Sequence, residues 1–231
     1  MSKTSSIPKV AIIGTASRKK ESGKINAEFY KYIKQRVKSS VEAKTSDHNV
    51  ILISGGSAWM DHIAVDLYLE SLETKTPYAG IELYFPSKFV HATSQFIADH
   101  CGSIMNKIHD EFSSSLYGIE NSTKTRLQFT KLYELSRSNK ELHIVLNQDS
   151  QGFFPRNDLV AANCQYMIAM TWGETGVADG GTKYTYNAAS YKVIRWHLSL
   201  VTLLQDFKGL TIKSLFAKFN ATKSISTQKE K

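Results

Sequence analysis

Three glycine-bearing turns, each directly after a short apolar run and each leading into a helix-like stretch, carry the residue types that hold an anion. They are Gly14-Thr15-Ala16-Ser17-Arg18, Ser54-Gly55-Gly56-Ser57-Ala58-Trp59-Met60-Asp61, and Trp172-Gly173-Glu174-Thr175-Gly176-Val177-Ala178-Asp179-Gly180-Gly181-Thr182. Glycine lets backbone N–H groups approach a phosphate, and the positive N-terminus of the following helix favours negative charge. In the first turn Ser17 can donate a hydroxyl and Arg18 a charged fork, or the segment is an ordinary turn trailing into solvated Lys19 and Lys20. In the second, Asp61 caps a helix, takes the hydroxyls of a ligand sugar, or holds a neighbouring loop. Trp59 either stacks on a base or closes the joint between helix and sheet, and His62 reads as a helix-surface histidine. In the third, Gly180 and Gly181 permit close approach and Thr182 can start the helix while donating its hydroxyl. Glu174 and Asp179 are the carboxylates placed for acid–base work there, with a solvated turn as the plainer reading.

A fourth segment, Phe154-Pro155-Arg156-Asn157-Asp158, enters a helix whose N-terminus should abut the same crevice. Arg156 can clamp a phosphate or carboxylate, and Asn157 can donate and accept toward a base or sugar. Ordinary helix-start chemistry is the competing reading, with Asp158 favourable near the positive helix end.

Positioning these turns needs strands that end together. Lys9 to Ile13, Asn49 to Ile53, Gly80 to Phe85, Tyr166 to Thr171 and Val193 to Leu198 are compact apolar runs and read as strands. Helical spacing recurs from Ile25 to Val41, with Ile25, Phe29, Ile33 and Val37 on one face. It recurs again over Ala58 to Leu72, Arg156 to Asn163 and Thr182 to Tyr191. The alternation predicts an α/β fold: a Rossmann-like, doubly wound, mostly parallel sheet with a helical insertion over about 86–150. Within that insertion helices are expected over about 88–116 and 123–138, followed by the apolar run Leu142 to Leu146. The insertion reads as a cover over the crevice. Residues 8–205 then form one domain, and 206–231 a basic tail, partly disordered.

Composition narrows the classes. The chain has 231 residues, a formal charge of +8 and two cysteines, Cys101 and Cys164, outside any Cys-x-x-Cys spacing. Neither a disulfide framework nor a zinc knuckle is indicated, and a reducing cytoplasm fits. No apolar run approaches a membrane span, and Met1 to Pro8 lacks the apolar block of a signal peptide. The positive charge is terminal: residues 1–48 hold 11 Lys/Arg against 4 Asp/Glu, and 206–231 hold 6 against 2. Solubility is the plain reason for basic ends, and attraction to a polyanion the other. His91, His100 and His109 recur every nine residues and so do not converge on a metal. No metal and no cofactor are expected.

The order of motifs, Gly-x-x-Ser-Arg, Ser-Gly-Gly-x-Ala-x-x-Asp-x-x-Ala, Arg-Asn opening a helix, and Gly-Gly-Thr before another helix, resembles the SLOG superfamily. That group includes the DNA-processing protein A domain and the lonely-guy phosphoribohydrolases. The likeness covers roughly residues 8–85 and 150–200 and is nearest to the compact members with Arg-Asn signatures. It implies a Rossmann-like sheet binding a nucleotide or nucleotide-derived ligand at Gly14, Arg18, Gly55, Gly56, Asp61, Arg156, Gly181 and Thr182. This chain departs from the phosphoribohydrolases where they follow Gly-Thr-x-x with a catalytic Glu; here Thr185 stands, and it cannot supply a general base. Trp59 also replaces the small residue usual after the second motif's alanine.

Three functions remain open at this level. One is nucleotide binding with hydrolysis of an N-glycosidic bond, which would need Glu174, Asp179 or Asp61 as the carboxylate. A second is a module for single-stranded DNA, with Tyr184, Tyr186 and Tyr191 as stacking groups. A third is a sensor or sequestering protein without turnover. A membrane partner is not expected, and the insertion could serve as a lid or as the face of a homo-oligomer.

Overall fold

The molecule, seen here as a computed structural model, is described over residues 6–16, 23–45, 49–178 and 180–211. Ser17, Arg18, Asp179 and the tail from 212 onward therefore lie outside the described residues. In chain order the elements are β1 (Lys9–Gly14), α1 (Ala27–Thr45), β2 (Ile51–Ser54), α2 (Ile63–Ser71), β3 (Gly80–Tyr84), β4 (Phe89–Val90), β5 (Gln95–Phe96) and α3 (His100–Tyr117). A turn of 3-10 helix, Ile119–Asn121, leads to α4 (Lys124–Ser138), β6 (His143–Asn147), α5 (Phe153–Ala162), β7 (Tyr166–Thr171), α6 (Gly181–Ala188) and β8 (Ile194–Ser199). Residues 200–211 are helical.

Six strands make one sheet in the order β6-β3-β2-β1-β7-β8, and every neighbouring pair is parallel. From β1 the chain winds outward through β2 and β3 to β6, then returns to the other side of β1 with β7 and β8. The strand order thus reverses between β1 and β7, and in such sheets ligands sit beyond the carboxyl ends at that reversal. The register places Gly14 level with Met170, so the two strands end together. This is the Rossmann-like, doubly wound arrangement expected.

Alternation along each strand separates two cores. Val10, Ile12, Leu52, Ile81, Leu83, Ile168 and Met170 face one side, where α1, α2, α3, α4 and the 200–211 helix cover them. Ala11, Ile13, Ile53, Tyr84, Met167 and Ala169 face the other, where Val160 and Ala161 of α5 and Ala189 just after α6 pack. No helix among the described residues is long and apolar enough to cross a membrane.

Three expectations about this framework are corrected. Helix does not begin near residue 88: Phe89–Val90 and Gln95–Phe96 form an antiparallel hairpin, and α3 starts only after Asp99, whose carboxylate accepts the Gly102 N–H at 2.6 Å. The hairpin's two phenyl rings lie 5.1 Å apart and join Phe85 and Phe129, so core packing overrides local helical spacing. The run Leu142 to Leu146 belongs to the sheet, since β6 pairs with β3 over five residues. The 86–150 segment also does not cover the crevice. Its helices pack on the first face through Phe112, Phe129 and Leu132, and none of its residues lines the hollow described below.

Candidate functional site

At the carboxyl ends of β1 and β7 lies a hollow of about 450 Å³. Gly14, Thr15 and Ala16 line it from β1, Ser57 and Asp61 from the turn after β2, and Thr171 and Trp172 from β7. The first turns of two helices complete it: Phe153, Phe154, Arg156 and Asn157 of α5, with Gly181 and Thr182 of α6 following Gly180. The first N–H groups of a helix have no partner within it, so two positive helix ends share this space.

Asp61 is the knot of the site. It is 5% exposed, its Oδ1 accepts the Gly14 N–H at 2.8 Å, and its Oδ2 accepts from Arg156 Nη1 at 3.2 Å. Ser54 Oγ donates to the Asp61 carbonyl at 2.8 Å. These bonds give the carboxylate a loop-holding role: it ties the end of β1 to α5. It caps no helix, because α2 starts later, after His62. Burial pushes the Asp61 carboxyl above its ordinary range, against the opposing pull of Arg156 and of the Gly14 and Ser57 N–H groups.

The paired glycines of the second turn do not line the hollow; Gly55 serves this knot and Gly56 lies against Phe85. A Cβ on Gly55 would sit 1.3 Å from Arg156 Nη1, so Gly55 is the space into which the guanidinium folds. Gly56 has φ +63°, and a Cβ there would lie 2.4 Å from the Phe85 ring. Of the two readings of Trp59, its position fits the packing one. Its backbone is left-handed, φ +64°, and its ring packs 4.8 Å from Phe112 in the core, so it offers no face to a base. That backbone also explains why residues 58–62 form turns before α2.

The third turn is organised by Thr171. Its Oγ1 accepts the Ala178 N–H at 2.9 Å and lies 2.9 Å from His197 Nε2. Burial holds the His197 imidazole below the usual histidine range. Glu174 is exposed on this turn and does not line the hollow. Gly180, Gly181 and Thr182 do line it. Thr185 Oγ1 and Asn157 Nδ2 both donate to the Gly181 carbonyl, at 2.9 and 3.4 Å, joining the starts of α5 and α6. The ammonium of Lys24 stands 4.9 Å over the Trp172 ring, adding positive charge beside the site.

Of the residues singled out from sequence, the hollow gathers Gly14, Asp61, Arg156, Asn157, Gly180, Gly181 and Thr182. It leaves out Gly55, Gly56, Trp59 and Glu174. Ser57, Phe153, Phe154 and Thr171 were not foreseen. Thr171 is the last residue of a legible strand and was open to inference; the exposure of a phenyl ring was not. Among the described residues no group of three metal-ligating side chains converges.

No protein-family model matches the chain, and no solved structure gives a significant match. A viral protein is similar: "Uncharacterized protein R261" of Acanthamoeba polyphaga mimivirus is 32% identical over 183 residues, which is 78% of this chain and 89% of the viral one.

Proposed function

This chain belongs to the family of that mimivirus protein, and we propose that its hollow binds a nucleotide or nucleotide-derived ligand in the manner of SLOG proteins. The observation that carries the reading is the convergence of the first turns of α5 and α6 with the Gly14-Thr15-Ala16 turn around one space of about 450 Å³. Such a space suits a small molecule, since ligand sites run from roughly 300 to 1,000 Å³. Backbone N–H groups at two helix starts favour a phosphate. Among the described residues the carboxamide of Asn157 makes one long bond, to Gly181, which leaves it capacity for a sugar or base. Two free cysteines, Cys164 among them buried, fit a reducing cytoplasm.

Hydrolysis of an N-glycosidic bond is a second reading, favoured by Asp61. It is the one carboxylate among the described residues that lines the hollow, and burial raises its proton affinity. In that reaction a water oxygen bonds to the anomeric carbon and gives its proton to the Asp61 carboxylate. The base departs with the bonding pair and takes a proton from solvent.

Calorimetric titration with the four nucleoside 5′-monophosphates, at low and high salt, tests the binding reading. Saturable binding with a shallow salt dependence is expected. A steep fall in affinity with salt, seen for oligonucleotides and absent for mononucleotides, would instead indicate single-stranded DNA. Chromatography of the same mixtures tests hydrolysis: a ligand that binds and yields no free base leaves a sensor or sequestering role.

A further inference from the structure

We propose that Phe154, braced by Tyr184, is the platform on which the planar ring of the ligand lies, so that the hollow selects anions bearing an aromatic ring. The inference rests on the nucleotide reading above and deepens it. Phe154 is 59% exposed and lines the hollow. Nothing in the packing of α5 requires a phenyl group there, because that helix meets the sheet through Val160 and Ala161. An apolar ring left to water in the wall of a cavity contributes little to folding and has surface available for a ligand.

The ring is also held. Tyr184 of α6 meets it edge to face, with centroids 4.9 Å apart and planes at 71°. The Tyr184 hydroxyl donates to Asp158 Oδ1 at 2.9 Å, so Tyr184 is anchored back onto α5, the helix that carries Phe154. Two helices thus fix one aromatic surface through a contact that buries neither ring. A platform fixed before binding loses little rotamer entropy when a base arrives.

The lining offers both kinds of group that a mononucleotide calls for. The helix starts at Gly181 and Thr182, with Arg156 and Asn157, supply polar groups, and Phe154 supplies an exposed aromatic face. Every nucleobase presents a π-face, so such a platform favours bases over sugars without choosing among the bases.

Calorimetry on the full chain tests this, using AMP and ribose 5-phosphate as paired probes. Wild-type protein should bind AMP more tightly than ribose 5-phosphate. Phe154→Ala should weaken AMP on the order of tenfold and leave ribose 5-phosphate unchanged. Phe154→Trp should keep AMP affinity, whereas Phe154→Leu, which keeps apolar volume without a π-face, should behave as the alanine variant does. Equal affinity of wild-type protein for the two probes, or unaltered AMP binding by Phe154→Ala, overturns the platform while the nucleotide reading stands. Wild-type protein that binds neither probe sinks the nucleotide reading and the platform with it.

Discussion

At the level of single residues the site depends on a buried ion pair and the gap that admits it. Arg156 and Asp61 are 6% and 5% exposed, and removing one partner of such a pair leaves an uncompensated charge at a cost of about 3–5 kcal/mol. Gly55→Ala should act as that removal without touching either partner. Its methyl group would occupy the place of Arg156 Nη1 and displace the guanidinium from Asp61. Chemical denaturation should register a loss of several kcal/mol, and mononucleotide affinity should fall in parallel. A variant as stable as wild type would show that Arg156 has another low-energy position. This use of Gly55 is not legible in the sequence, because a glycine that yields to a side chain and one that yields to a phosphate read alike in a Gly-Gly turn. Asp61 was recognisable as a loop-holder among three options; only its partners, Gly14 and Arg156, decide between them.

At the level of elements, strands were the most legible because their apolar runs are short, β-branched and bounded by glycine. β7 spans Tyr166–Thr171, the bounds read from sequence, and β1 differs by one residue. The 86–150 segment was less legible: strands of two residues show no period, and the position of β6 at the sheet edge is a long-range fact. His62 shows the limit plainly. It reads as a surface histidine, yet α4 covers it, with Gln128 Oε1 2.6 Å from its Nε2.

The packing of α2 against α3 and α4 predicts a pH dependence. His62 and His109 are fully buried with rings 5.4 Å apart, and burial is the main cause that lowers both, His109 strongly. His109 also lies near Arg126, which opposes its charge, while Asp66 favours the charge of His62. Below about pH 6.5 the unfolded chain binds protons that these folded imidazoles refuse. Stability is therefore full above that pH and falls as the pH drops toward the folded values, by up to about 1.4 kcal/mol per pH unit for each histidine. Urea denaturation between pH 8 and pH 5 should show the decline, and His109→Gln should lessen its slope. A stability unchanged across that interval would mean that the histidines titrate alike in both states.

For the molecule as a whole, the decisive feature is a parallel sheet whose strand order reverses beside its first strand. The reversal makes β1 and β7 end together, and two helices covering the second face begin beside the hollow at that point. The wider first face carries α3, α4 and the hairpin, so the additional mass of the 86–150 segment builds core on the side of α1 and α2. Much of this was legible from the alternation of runs, since parallel strands with helical crossovers force the strand-to-helix turns to one edge. Which turns face a ligand and which face a neighbouring side chain was not, because that choice is made by Arg156, Phe85 and Phe112 from distant parts of the chain.

Titration of isotope-labelled protein with AMP, followed through backbone amide shifts, addresses the hollow directly. Saturable shifts should appear together at Thr15, Phe154, Gly181 and Thr182, which come from three separate segments and meet only there. Shifts confined to other surfaces, or none with any nucleoside monophosphate, would contradict a nucleotide site at the reversal of the sheet.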